Sequence, residues 1–148
     1  MRLDRRWWIA IGVTVVAVVA LSYSVLRGPP QECGPVQEFL DYNRSQSELI
    51  ASKSGDASGP PTAAEETAYR AWADGLAERA QQVTDPDLAR TAAQVSDLAN
   101  QFVNKMSVVR AESQARAPGA PAPPVLYQMD ALNTQINQKL AELSDACS

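Results

Sequence analysis

The sequence predicts an all-α protein: one N-terminal transmembrane helix, then an extracytoplasmic up-and-down four-helix bundle closed by a disulfide. Three observations predict it. Residues 7–26, WWIAIGVTVVAVVALSYSVL, carry no charge. Residues 33–148 hold four runs in which apolar side chains recur every three or four positions, separated by breaks rich in Gly, Pro and Asp. The chain's 2 cysteines, Cys33 and Cys147, bracket those four runs.

The apolar segment comes first. About 20 apolar residues at roughly 1.5 Å each cross the hydrocarbon core of a bilayer. Arg2, Arg5 and Arg6 precede it and Arg27 alone follows closely. That bias keeps the tail 1–6 in the cytoplasm and sends 28–148 outside. Trp7, Trp8 and Tyr23 fall near the segment's edges, where amphipathic rings favour the headgroup region. A cleaved signal peptide is the alternative, with Ala20-Leu21-Ser22 or Ser22-Tyr23-Ser24 as the small-x-small site. The apolar run exceeds the 7–15 residues usual for that purpose, so an uncleaved signal-anchor is expected. Two prolines stiffen the short linker 27–32, RGPPQE, and keep the outer domain close to the membrane.

The outer domain then unfolds helix by helix. A first helix is expected over about 35–52, with Gly34 capping and Pro35 at its first position. Val36, Leu40, Asn43, Ser47 and Ile50 make its inner stripe, widened by Phe39 and Leu49. The middle of that stripe is polar. Either Asn43 or Ser47 sets register within a core, or the helix is only partly buried. KSGDASGPP, 53–61, is a loop by composition. Thr62 and Glu65 form a capping box that opens a second helix to about 83. Its stripe is Tyr69, Trp72, Leu76, Ala80 and Val83, and Gly75 inside it marks a close helix approach.

Asp85, Pro86 and Asp87 supply a cap, a first-position proline and an acid at the positive helix end. They start the third helix, about 86–116, whose Leu88, Ala92, Val95, Ala99, Phe102, Met106 and Val109 keep a heptad rhythm. As the longest helix it is expected to overshoot its neighbours. PGAPAPP, 118–124, is expected to be extended. A fourth helix, about 125–146, presents Leu126, Met129, Leu132, Ile136, Leu140 and Leu143 inward and an amide-rich outer surface of Asn133, Gln135, Asn137 and Gln138.

The cysteines test the helix count. With short loops, four helices return the chain to the end where it began, whereas three leave the termini a helix length apart. Cys33 and Cys147 each extend the buried stripe of their own helix, so an even count brings them together. Oxidation outside the cell permits the bond. Two separately buried thiols are the alternative. The same topology puts the 84–85 turn near the membrane and the 53–61 and 118–124 loops at the far tip.

Composition narrows the function classes. Net charge is -4. From residue 33 onward 15 acids face 9 bases, which argues against nucleic acid as a partner. With His 0, the commonest general base and metal ligand is missing. There is no phosphate loop, dinucleotide turn, nucleophile elbow or Cys/His metal pattern, so no catalytic residues, metal or cofactor are expected. The paired acids Glu65-Glu66 and Asp85 with Asp87 sit at helix starts and stabilise the dipole. Glu142 with Asp145 is a weaker candidate for a cation. Tyr69, Trp72, Phe102 and Met106 form a candidate ligand or core cluster. Pro118, Pro121, Pro123 and Pro124 form a candidate docking tip for a partner.

Cys33-Gly34-Pro35 opening the helical domain, Asp85-Pro86-Asp87-Leu88 starting a helix, and the closing Cys147 complete a recognisable layout. It resembles the uncharacterised, Ala-rich single-pass envelope proteins of actinobacteria of the mycobacterial type. The resemblance implies a cell-membrane location with the C-terminal domain outside, and brings no assigned activity. The expected function is a membrane-anchored protein-interaction domain, an accessory subunit or scaffold of a cell-envelope complex, not an enzyme. The alternative is a helical bundle that binds a small ligand or lipid.

Overall fold

Pro35, Thr62, Asp85 and Pro124 each mark where a helix begins, and the breaks between them divide the chain as their chemistry requires. The computed structural model describes residues 31–54 and 60–148. A short 3-10 turn, Gln31–Cys33, leads into α1, Gly34–Lys53; α2 is Ala63–Ala80, α3 Pro86–Gln114 and α4 Pro124–Ala146. Among the described residues there are helices and no strands. Glu32–Ser148 forms one compact unit. Among the described residues no helix is long and apolar enough to cross a membrane. The expected membrane segment 7–26, its flanking tail and most of the linker lie outside the described residues.

The caps follow sequence chemistry closely. Thr62 Oγ1 accepts from the Glu65 amide at 3.2 Å, and Glu65 Oε2 accepts from the Thr62 amide at 2.7 Å, closing the capping box. Asp85 Oδ1 accepts from the amides of Asp87 and Leu88 at 3.0 and 2.9 Å. At α1 the cap is Cys33 rather than Gly34, and Gly34 is itself helical. The second helix stops at Ala80 rather than 83, because Gln81 and Gln82 turn toward the Asp85 cap. Val83 remains buried beyond the helix end.

The segment 118–124 differs from expectation. It is not a uniform extended strand. Ala120 N–H donates to Ala117 O at 3.2 Å, with Gly119 at φ 85° between them. A proline followed by a glycine of positive φ is the signature of a type II turn. Pro124 belongs to α4 and Pro123 is buried, so of these four prolines Pro118 and Pro121 remain exposed outside a helix. The Arg116 guanidinium donates to Pro121 O across the turn.

Each helix packs on the next, and α1 also meets α4 and, sparingly, α3. The core contains Val36, Phe39, Leu76, Val95, Ala99 and Leu143, all 0 % exposed. Met106, Val109, Val125 and Leu132 are buried further along α3 and α4. Leu126, expected inside, is 40 % exposed, because residues 123–125 already turn the first α4 turn inward through Pro123 and Val125. Cys33 and Cys147 are bonded, with Cα atoms 5.5 Å apart. The chain therefore does return to its starting end after four helices.

Two polar contacts lock pairs of helices. Glu66 of α2, with a side chain 14 % exposed, pairs with Arg110 of α3 and with its own-helix neighbour Arg70 at 3.1 Å. Arg110 thus lies level with the start of α2, and α3 overshoots it by about one turn, Ala111 to Gln114. On the other side of α2, Tyr42 Oη donates to Ala71 O at 2.9 Å and the Arg79 guanidinium lies 3.7 Å over the Tyr42 ring.

Candidate functional site

The weak contact between first and last helices leaves a groove that reaches into the bundle, about 510 Å³ in volume. This size falls in the range of ligand pockets, roughly 300–1,000 Å³. From α1 come Asn43, Ser47, Ile50 and Ala51, followed by Ser54 just past the helix end. They recur at helical spacing and share one face. From α4 come Asn133, Ile136, Asn137 and Leu140, again one face. Tyr69 and Trp72 of α2 and Phe102 of α3 form the floor.

The polar middle of α1 therefore has a place. Asn43 and Ser47 do not face a sealed core; they line a groove. Asn133 and Asn137 of α4 were expected on an outer surface, and they are exposed, but on the groove's opposite wall. The aromatic floor is tightly organised. Tyr69 and Trp72 meet edge to face at 6.1 Å, Trp72 and Phe102 likewise at 6.5 Å, and Tyr69 and Phe102 are tilted at 5.5 Å. Such geometries suit the ring quadrupoles. Trp72 Nε1 donates to Asn43 Oδ1 at 3.0 Å, so the floor orients one amide of the rim. Met106, grouped with these rings in the sequence, is buried but does not line the groove.

Among the described residues no charged side chain lines the groove. Burial raises the Tyr69 hydroxyl's pKa above its ordinary value, and the nearby Glu65 carboxylate adds to the effect. The phenol stays neutral throughout the physiological range. Its described lining thus offers amides, hydroxyls and apolar faces.

Of the six paired carboxylates singled out in the sequence, all but Asp145 have partners elsewhere. Glu65 caps α2 and Glu66 bridges Arg70 and Arg110. Asp85 caps α3, Asp87 pairs with Arg90 at 2.9 Å, and Glu142 with Lys139 at 2.7 Å. Among the described residues no group of three or more His, Cys, Asp or Glu is placed to hold a metal ion. Comparison with protein-family models, with curated proteins and with solved structures finds no match to this chain.

The sequence named three of the floor residues and missed the rim. The signal was present: three Asn and one Ser at helical spacing on two helices, each on or beside an otherwise apolar stripe.

Proposed function

We propose that this chain is a membrane-anchored, extracytoplasmic binding protein, and that the groove between α1 and α4 receives a small ligand. The observation that carries the reading is the groove itself: about 510 Å³, with an aromatic floor, a hydrogen-bonding rim and no charged side chain among its described lining residues. Proteins rarely keep such a concavity between helices that could close on apolar side chains. The anchor rests on the uncharged 7–26 segment and the Arg bias before it. The disulfide fits an oxidising location. The reading assigns no catalysis.

The test uses full-length protein in a polyoxyethylene detergent, with Trp7→Phe and Trp8→Phe so that Trp72 is the remaining indole. Titration with a naphthalene sulfonamide dye reports the groove through energy transfer from Trp72. Saturable transfer, abolished by the groove-filling Asn137→Trp variant after correction for the added indole, supports the reading. Absence of saturable binding, or binding indifferent to the filled groove, overturns it.

A second reading keeps the domain as a protein-interaction module, an accessory subunit or scaffold of an envelope complex. The observation favouring it is the start of α4, where Tyr127 is 71 % and Leu126 40 % exposed beside the Pro118–Pro121 turn. Purification of the tagged protein from its own membranes, with stoichiometry read by mass spectrometry, tests it. A near-equimolar partner lost on Tyr127→Ala supports this reading; the protein emerging alone sinks it.

A further inference from the structure

The hydrogen-bonding capacity of the rim is more specific than its polarity. Ser47 Oγ donates to Asn43 O at 2.8 Å, and Ser54 Oγ donates to Ile50 O at 3.0 Å. The Ser47 hydroxyl spends its proton on its own helix and that of Ser54 on the Ile50 carbonyl or the Glu65 carboxylate, and both keep lone pairs for a ligand. Asn43 is the complement. The indole is a donor only, so Asn43 Oδ1 is committed to Trp72 and the two amide N–H groups remain to donate. Asn133 and Asn137, on the facing helix, make no side-chain hydrogen bond to a described residue and present both donors and acceptors. The rim thus mixes donors and acceptors at short intervals, all of them neutral.

A ligand that matches such a rim must itself carry groups that both donate and accept, without net charge. Hydroxyl groups do so. An acyl chain would leave the rim's amides and hydroxyls without partners once water was displaced, which is costly. Among the described residues no charged side chain lines the groove to counter an anion or a cation, and the Glu65 carboxylate beside Tyr69 is committed to its capping box. An amphipathic helix would need a continuous apolar trough, which the polar rim interrupts. The half-buried Phe102 and Tyr69 rings beneath the rim give an apolar floor against which the C–H face of a pyranose can lie. We propose that the groove binds a neutral saccharide, its hydroxyls held between Asn43, Ser47, Asn133 and Asn137 and its apolar face on Phe102 and Tyr69. This rests on the reading of the groove as a ligand site.

The test uses the full chain in the same polyoxyethylene detergent, since sugar-headgroup detergents would compete. The probes are cellotetraose, maltotetraose and chitotetraose, with tetragalacturonate as the charged control, read by displacement of the groove-bound dye. Saturable displacement by at least one neutral sugar is expected, with tetragalacturonate much weaker. Asn137→Leu and, separately, Asn133→Leu lie on exposed helix positions and should weaken that sugar roughly tenfold each, the scale of one good hydrogen bond. Dye that binds but is displaced by none of the neutral sugars overturns the saccharide assignment and leaves the groove reading standing. Equal displacement by tetragalacturonate overturns it too, because a neutral rim cannot favour the anion. A chain that binds neither dye nor sugar overturns both.

Discussion

Gly75 and Tyr42 occupy a single volume between α2 and α1: a Cβ on Gly75 would overlap the Tyr42 hydroxyl and the adjoining ring carbons. The glycine is in an ordinary helix, so backbone freedom does not explain it. The Tyr42 ring explains it, held there by its hydrogen bond to Ala71 O and by the Arg79 guanidinium above it.

Two opposed effects therefore meet in Gly75→Ala. Helix propensity favours alanine by about 1 kcal/mol. The methyl must expel a ring that is bonded and stacked, and overpacking of this kind costs about 1–3 kcal/mol. We expect net destabilisation of the native protein, seen as a lower midpoint in urea unfolding. In a Tyr42→Ala background the obstacle is gone, and Gly75→Ala should become neutral or stabilising. A destabilisation that persists in that background would mean that the ring is not the cause.

The bond from Trp72 to Asn43 allows a second prediction. Trp72 is 7 % exposed, so Asn43→Leu leaves a buried indole N–H without an acceptor. The expected loss is about 1–3 kcal/mol, the cost of an orphaned buried donor. Trp72→Phe loses packing instead. In the double variant nothing is orphaned, so the two losses should fall short of adding by about 1 kcal/mol. Urea midpoints at unchanged slope measure all four corners of the cycle. Simple additivity would show that the hydrogen bond contributes nothing.

How much of this was legible in the sequence depends on whether the cause is local. The caps at Thr62 and Asp85 are set within four residues, and both form as their chemistry requires. The α3 heptads were plain because Val95, Ala99 and Met106 face a continuous apolar partner. The Pro118-Gly119 turn was equally local, and the dipeptide did carry its signal; the surrounding prolines masked it as extended chain. The groove was harder. Asn43 and Ser47 fall on the inner stripe of α1, and periodicity alone cannot separate a polar core position from a cleft wall. The pairing of Glu66 with Arg110 lies 44 residues apart in sequence and depends on how α2 and α3 register, which no local pattern encodes.

The capping box makes stability depend on pH in a definite direction. Hydrogen bonds from the Thr62 amide, then from its side chain, hold the Glu65 carboxyl below its ordinary 4.5. A depressed folded value means that the unfolded chain binds the proton more tightly. The stabilisation is therefore complete above 4.5 and is lost as pH falls through the folded value. Glu65→Gln should lower Tm at neutral pH, and the gap to the native protein should close in acid. A gap that stays constant with pH would assign the loss to something other than the carboxylate's charge.

The disulfide gives the prediction with the largest effect. Cys33 and Cys147 are 114 residues apart, so their bond closes nearly the whole bundle into one loop. In the chain-entropy model a loop of this length stabilises by about 5 kcal/mol, mostly by restricting the unfolded chain. Cys33→Ser with Cys147→Ser should therefore lower stability by several kcal/mol with little change in helix content by circular dichroism. The loss has a second consequence at the groove. Among the described residues α1 meets α4 only sparingly, and the bond is the covalent tie between them. Without it the α1 wall can swing away from Asn133 and Asn137, and binding of the dye should weaken even at temperatures where the bundle remains folded. If stability falls while binding holds, packing of Val36, Phe39 and Leu143 at that end fixes the groove's width, and the disulfide acts on the unfolded state alone.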